Sequence, residues 1–447
     1  MHSQPIDRAL APISPLLSLR GRRTVLATLS LWVLASTGLA ADETTVDWPS
    51  FRGAQRNGVT TETGLLTPWP EGGLQPRWSI PLGEGYASVS VVGDRLFTLF
   101  AEGETEYLVS LDPGDGAVLW KTTLGSKVET EFGNGPRSTP AVSGDTVYAV
   151  GSDMILRAAA IGDGAVRWQV DLAKELGARP LRWGFATSPL VDGDLVFLEV
   201  GAGEGKGVAA LDAATGKTRW TALTSGGSYG SPIAVTLGGV RQYIVAATAS
   251  RQVVGLNREG QTLWSYDWAG GTMAMPLLVG ENQVFVSASE DVGGALLRIE
   301  QQDGQFTVQE VWRNREMKNH FSSSLVYGGY IYGFDGATLK CVDAATGERQ
   351  WVQRGLGKGS LIAADGHLII LSDRGKLVLA KATPEGFQEA GSFQVLEGKT
   401  WTAPVLAGGK LYLRDHEKLV CLDARATPPE APREGVDAVA DGERGAS

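Results

Sequence analysis

Short apolar runs separated by glycine-rich turns recur along nearly the whole chain, and no stretch after the first forty residues carries a long helical period. One unit shows the grammar. Leu190-Val191 leads into Asp192-Gly193-Asp194, Leu195 to Val200 reads as a strand, and Gly201 to Gly205 turns again. Gly207 to Leu211 is a third strand, Asp212 to Gly216 a third turn, and Lys217 to Trp220 a fourth strand. Glycine supplies the positive φ such turns require, and aspartate caps them by accepting backbone N–H bonds.

The unit repeats. Leu111-Asp112-Pro113-Gly114-Asp115-Gly116 leads to Trp120, Leu211-Asp212-Ala213-Ala214-Thr215-Gly216 to Trp220, and Val342-Asp343-Ala344-Ala345-Thr346-Gly347 to Trp351. Weaker copies end at Trp168, Trp264 and Trp312; with Trp78 the spacings are 42, 48, 52, 44, 48 and 39, and a further step of 42 lands on Phe393. A short phrase ending in proline opens five units, at Ser138-Thr139-Pro140, Thr187-Ser188-Pro189, Gly230-Ser231-Pro232, Ala274-Met275-Pro276 and Thr402-Ala403-Pro404, with degenerate openings near Ser88, Ser323 and Ser360, which makes eight. A period of about 45 residues with four short strands per unit predicts an all-β, eight-bladed β-propeller over residues 74–424. The last unit stops before a fourth strand, whereas Trp78 precedes the first opening. The segment Pro76 to Ile80 is therefore expected to complete the eighth blade and close the ring.

Units that open on Ser/Thr-x-Pro and end on Leu-Asp-x-x-Thr-Gly-x-x-x-Trp resemble the pyrroloquinoline-quinone (PQQ)-type propeller repeat, shared by quinoprotein alcohol dehydrogenases and the outer-membrane assembly lipoprotein BamB. The resemblance implies the fold and leaves the activity open, because the family holds both enzymes and scaffolds. WD40 repeats share the period, but the unit-ending tryptophans are never followed by aspartate here. The phrase Trp48 to Gly53, with Gly135 to Pro140, also looks like a group of exported bacterial propellers of this repeat class.

The residues three before each opening proline should ring the mouth of the central channel. These and their neighbours give Tyr86, Arg137, Trp183, Phe185, Tyr229, Met273, His320, Phe321, Lys358 and Trp401. Aromatic rings beside cations can hold a flat anionic ligand, or the same side chains can plug the narrow end of a funnel. The resemblance implies, for an enzyme, a quinone beside a calcium ion ligated by Glu, Asn and Asp, often under a disulfide of adjacent cysteines. Adjacent cysteines are absent, and Glu129, Glu131, Asn134 and Asp267 show no spacing that selects them over a solvated acidic loop. The long insertions that build a substrate cavity are absent too. No cofactor and no metal is expected, and the reading that follows is a binding or assembly scaffold, with a PQQ-dependent dehydrogenase of alcohols or sugars as the alternative.

Composition adds three points. Cys341 and Cys421 occupy the same place in two units, where Ser110 and Ala210 stand elsewhere, so they read as small buried side chains; blades six and eight do not adjoin, and a bridge is not expected. The four histidines are too scattered for a metal cluster, and no CxxCH motif exists for haem. With 50 acidic against 40 basic side chains, spread rather than blocked, nucleic acid is not the expected partner; an envelope protein or a small planar anion is, and a monomer is expected.

The ends read separately. Arg20-Gly21-Arg22-Arg23, an apolar run from Thr24 to Leu34 and the small residues Gly38 to Ala41 follow the order of a secretory signal peptide over residues 1–40. The run is shorter than the roughly 20 residues of a membrane span. Residues 1–40 carry a net charge of +3, so an exported, periplasmic or secreted mature chain would carry −13 against −10 for the whole. No cysteine precedes Cys341 to take a lipid anchor. Residues 41–73, with Trp48-Pro49-Ser50-Phe51-Arg52-Gly53 and Trp69-Pro70, are too aromatic for a free tail and should pack on the propeller, whereas 425–447, rich in proline and poor in apolar residues, should be disordered.

Overall fold

A computed structural model describes residues 46–425, apart from 180, 225–226, 248–250, 271–272 and 290. The expected signal peptide and the tail beyond 425 lie outside the described residues.

Each repeat unit forms one four-stranded antiparallel sheet, and there are eight. Blade one consists of Ser90–Val92, Arg95–Glu102, Thr105–Leu111 and Val118–Ser126; blade three of Leu190–Asp192, Leu195–Glu199, Val208–Asp212 and Thr218–Ala222. Blade eight takes Val405–Ala407, Lys410–Arg414 and Lys418–Asp423 from the end of the repeat, and its outer strand, Pro76–Pro81, from the beginning. Trp78 faces Cys421 and Ile80 faces Leu419 across that seam. Among the described residues the only helix is Leu172–Leu176.

Burial follows from blades stacked face to face. A second strand such as Thr146–Val150 or Leu195–Glu199 is buried at every position, because both of its faces meet a neighbouring sheet. Outer strands such as Val118–Ser126 expose most of their length and bury the tryptophan. The tryptophans join the blades. The indole N–H of Trp120 donates to the Ile161 carbonyl at 2.9 Å, Trp168 to Ala213 at 2.9 Å, Trp220 to Arg258 at 2.8 Å and Trp351 to Thr383 at 2.8 Å. Trp312 reaches Ala344 at 3.0 Å, and Trp78 crosses the seam to Pro113 at 3.2 Å. Every acceptor lies in the third turn of the next blade. The turn's glycine slides under the ring: at Gly216, where φ is 72°, a Cβ would come within 2.6 Å of Trp168.

Trp264 departs from this rule. Its partner across the sheet is Gly255, which leaves room for the indole to turn inward and donate to Gln242 Oε1 at 2.7 Å. Blade five extends its outer hairpin to ten residues a strand, Gly293–Gln302 and Gln305–Asn314, so the third turn lies farther out than in the other blades and offers Trp264 no acceptor. Phe393 departs as well. The strand register places Gly391, opposite Leu379, in the tryptophan position of blade seven. The indole there comes from the leader: Trp69 is buried against Gly391 and meets Phe393 edge to face at 5.6 Å. Cys341 and Cys421 are free, buried, and opposite Trp351 and Trp78. Burial pushes both thiols up to about 12.

These contacts predict that Gly216→Ala costs about 2 kcal/mol, part from an L residue at positive φ and part from displacing Trp168. Gly205, at φ 65° with open space around it, should lose only about 1 kcal/mol on the same change. Urea unfolding of the two variants checks the difference; equal losses would mean the turn glycine does not seat the indole.

Residues 48–69 run across the channel. Trp48 exchanges two backbone bonds with Val91 of blade one, the Pro49 carbonyl accepts Val142 N–H of blade two, and Thr60 N–H donates to Ala363 of blade seven. Between them a tight loop rises inside the ring. Arg56 donates to the carbonyls of Pro232, Pro189 and Ser188 at 3.0, 2.9 and 3.2 Å, and Arg52 to those of Ser324 and Ser323 at 2.6 and 3.2 Å. Five carbonyls on three blades are thus held by two guanidinium groups. Burial pulls Arg52 down to about 10 and Arg56 to about 9, and both remain charged at neutral pH. Arg425, placed by the sequence in the tail, still belongs to the ring: it forms a bridge with Leu65 and an ion pair with Glu62.

Candidate functional site

The inner strands begin at the channel mouth, and the loops ahead of them converge there around a cavity of about 540 Å³. Nine of the ten residues read from the sequence line it: Tyr86, Arg137, Trp183, Tyr229, Met273, His320, Phe321, Lys358 and Trp401. Phe185 does not. Gly184 adopts φ 81° and reverses the chain, so Trp183 turns to the mouth while Phe185 enters the core between blades two and three. Phe51, at the tip of the leader loop, also lines the cavity. The leader fills the channel beneath it, and the mouth is a blind cup rather than a pore.

The rings form a continuous belt. Tyr229 meets Trp183 at 5.1 Å, Trp183 meets Phe132 at 5.7 Å, Phe132 meets Trp401 at 6.1 Å, and Trp401 meets Phe321 at 5.4 Å. Tyr86 stacks on Trp401 at 5.6 Å. Hydrogen bonds fix the belt: Tyr86 hydroxyl donates to the Phe132 carbonyl at 2.8 Å, and Trp183 N–H to the Tyr229 hydroxyl at 3.0 Å. Phe132, the belt's most exposed ring at 42 %, sits on a loop that Arg137 holds down through Gly133 O, Thr130 Oγ1 and Gly135 O at 2.7–2.9 Å.

Among the described residues three permanent cations line the cup and no carboxylate does. The Arg137 guanidinium lies 5.3 Å from the Tyr86 ring centre, and burial lowers its pKa. Lys399 Nζ lies 4.8 Å from the Trp401 ring centre and donates to the Phe132 carbonyl at 2.9 Å. Lys358 has no side-chain hydrogen bond or ion pair with the described residues.

Phe132, Lys399 and Phe51 escaped the sequence reading. Lys399 stands two residues before Trp401, just as Trp183 precedes Phe185, so widening the count to the whole loop would have found it. Phe132 lies in the loop read as solvated and acidic. That loop instead folds over the mouth: Glu131 pairs with Arg182 and accepts from Trp183 Nε1 at 2.9 Å, while Asn134 bonds Glu84. Asp267 is bonded to Gln252 on blade four. The four oxygen donors therefore do not converge, and among the described residues no group of three His, Cys, Asp or Glu side chains forms a metal site.

Comparison with known proteins agrees with this architecture. The family model described as outer membrane protein assembly factor BamB matches residues 68–182 and 178–353, more than half of the chain. BamB from Moraxella catarrhalis superposes with a TM-score of 0.57 at 15 % identity, covering 79 % of this chain and 99 % of that one. The quinohemoprotein alcohol dehydrogenase ADHIIG from Pseudomonas putida HK5 superposes with a TM-score of 0.58 at 14 % identity, covering 87 % and 82 %. A 134-residue stretch is 34 % identical to the serine/threonine-protein kinase AfsK of Streptomyces griseus, but spans only 30 % of this chain and 15 % of the kinase. The chain belongs to the PQQ-type repeat propeller family, whose matching model is that of the outer membrane protein assembly factor BamB.

Proposed function

We propose that this propeller is exported and works by binding, as a scaffold of the cell envelope whose working surface is the aromatic cup. The observation that carries the reading is the cup itself: a fixed belt of rings, three cations and a blind floor made by the chain's own leader. Such a surface recognises a partner by stacking and charge, with the His320 imidazole set in the same wall. The family model's description as an assembly factor supports the same direction. The order of charged, apolar and small residues in 1–40 supports export.

The quinone-dependent alternative needs a planar acid held next to calcium. The rings suit a planar group, but among the described residues the lining supplies no Glu or Asp carboxylate and no Asn carbonyl to ligate calcium. The residues do not fit that pair, and no step is derived through it.

The test places a photo-crosslinking amino acid at Phe132 in the full chain expressed in a bacterial envelope. A discrete crosslinked species that fades when Trp401→Ala is added is the expected result. Absence of any crosslink, together with calcium- and quinone-dependent oxidation of an alcohol by the purified mature protein, would replace binding with catalysis.

A further inference from the structure

The innermost strand of each blade is a sheet edge, and its free N–H and C=O groups line an enclosed channel where each needs a partner. The leader supplies many of them. Trp48 exchanges both main-chain bonds with Val91, the Pro49 carbonyl accepts from Val142, and Gly58 and Thr60 take the two groups of Ala363. These contacts extend blade one in antiparallel sense and blade seven in parallel sense. Between them Arg56 and Arg52 occupy five carbonyls of blades three, four and six. Edge pairing at the ends of a segment, with side-chain anchors between, is the way a protein recognises an extended peptide. The ring shapes the segment in turn. Arg52 and Arg56 hold φ at 64° and 54°, a left-handed conformation that residues with a side chain seldom adopt and that persists where surrounding contacts impose it. In the link from this segment to the first strand, Glu71 and Gly72 are exposed, and a Cβ at Gly72 would meet nothing within 4 Å.

We propose that the channel axis is a polypeptide-binding site, that the leader occupies it as a tethered ligand, and that another segment with the same anchors displaces it. The anchors are Trp48, Phe51 and two arginines four positions apart. The site lies beneath the cup and does not depend on the binding reading above. It reads main chain together with guanidinium. Carbonyl oxygens on separate blades take a planar cation with five donors, whereas a compact ammonium reaches fewer of them. Arg56 alone spans blades three and four. A short tether holds the leader at an effective concentration in the millimolar range, so a free segment at micromolar concentration loses to it until the tether is cut. Withdrawal of the leader also takes Phe51 out of the wall of the cup, so whatever enters the axis remodels the mouth.

For the test, a protease recognition sequence is inserted between Glu71 and Gly72 of the full chain, which is then cleaved while folded. A fluorescent synthetic peptide of residues 46–71 is added at micromolar concentration, and its uptake is followed by anisotropy and gel filtration. One peptide per ring is expected in the cut chain, with release of the cleaved leader, and at least about tenfold less uptake in the uncut chain. Arg56→Ala in the peptide should weaken uptake at least about tenfold, because bonds to three carbonyls are lost, and Arg56→Lys should recover only part of that loss. These substitutions lie in the peptide, so a folding defect of the ring cannot imitate the result. Equal uptake by cut and uncut chains would put the peptide elsewhere on the molecule and overturn the proposal. So would uptake indifferent to Arg56, a cleaved leader that does not exchange over days, or a ring that unfolds as soon as the link is cut. The readout is exchange on the axis, so it stands or falls separately from the crosslink at Phe132.

Discussion

A chain that begins at Leu82 is expected to lose cooperative folding of the whole ring. Its missing strand, Pro76–Pro81, pairs with Lys418–Asp423 at five positions, and without it the third strand of blade eight becomes an open edge. Trp78 goes with it, and so does its bond to Pro113, the indole contact between blade eight and blade one. Loss of a buried tryptophan alone costs about 3–5 kcal/mol. The same truncation removes Trp48, Trp69 and the two arginines that hold blades three, four and six. What remains at the seam are side-chain bonds such as those of Ser88 to Ala403 and Thr402 to Tyr86, and Arg414, buried and donating to the Ala87 and Leu99 carbonyls at 2.9 and 2.6 Å. These bonds cannot replace a strand. In a ring each blade leans on two neighbours, so opening one joint exposes two faces. Calorimetry of the mature and truncated chains should show a fall in melting temperature of more than about 15 °C and a broadened, multi-step transition. A chain starting at Leu74, which keeps Trp78 but lacks the channel loop, should fall between the two. Identical transitions for all three would show that the ends of the chain do not close the ring.

The period of the repeat was legible because each copy solves the same local problem: glycine for a turn, a small residue opposite a tryptophan, a proline ahead of the inner strand. Cys341 and Cys421 could be read as small packing residues for that reason, and nine residues of the cup followed from counting back from the prolines. Counting fails where local geometry breaks the copy. Gly184 flips the order of Trp183 and Phe185, and Gly391 gives its place to an indole from outside the repeat. The leader could be read only by composition, since Trp48, Phe51, Arg52, Arg56 and Trp69 each answer a site created by distant blades. Their partners lie up to 324 positions away, as Trp69 to Phe393 shows, and no local pattern announces such contacts. That the channel is blind, and the mouth therefore a cup, depends on this one unrepeated segment.

Glu199→Gln is expected to make the protein more stable at alkaline pH and to leave it unchanged in acid. Glu199 ends the second strand of blade three, is 3 % exposed, and accepts a bond from Ser228 Oγ at 2.6 Å, with no ion pair among the described residues. Burial pushes its carboxyl up to about 8, against which the Ser228 bond is a smaller opposing effect. In the unfolded chain the group ionises near its ordinary value of about 4.5. Between these two values the folded protein holds a proton that the unfolded chain has released, so stability declines as pH rises from about 4.5 through 8 and levels off above. A shift of this size corresponds to at most about 5 kcal/mol at full ionisation, reduced by whatever water reaches the opened joint. Glu106 adds a second, narrower window: it is buried against Ser152 N–H at 2.8 Å, and burial raises it to about 7. Glutamine keeps the acceptor that Ser228 requires and has no proton to release. Urea unfolding at pH 4.5 and pH 9 should therefore give coincident midpoints at the lower pH and a higher midpoint for Glu199→Gln at the upper. Because Ser228 adjoins Tyr229, the variant should also hold that side of the cup in place at pH 9. Parallel pH profiles for the two proteins would mean that Glu199 is already ionised in the folded ring and that water or a cation reaches it.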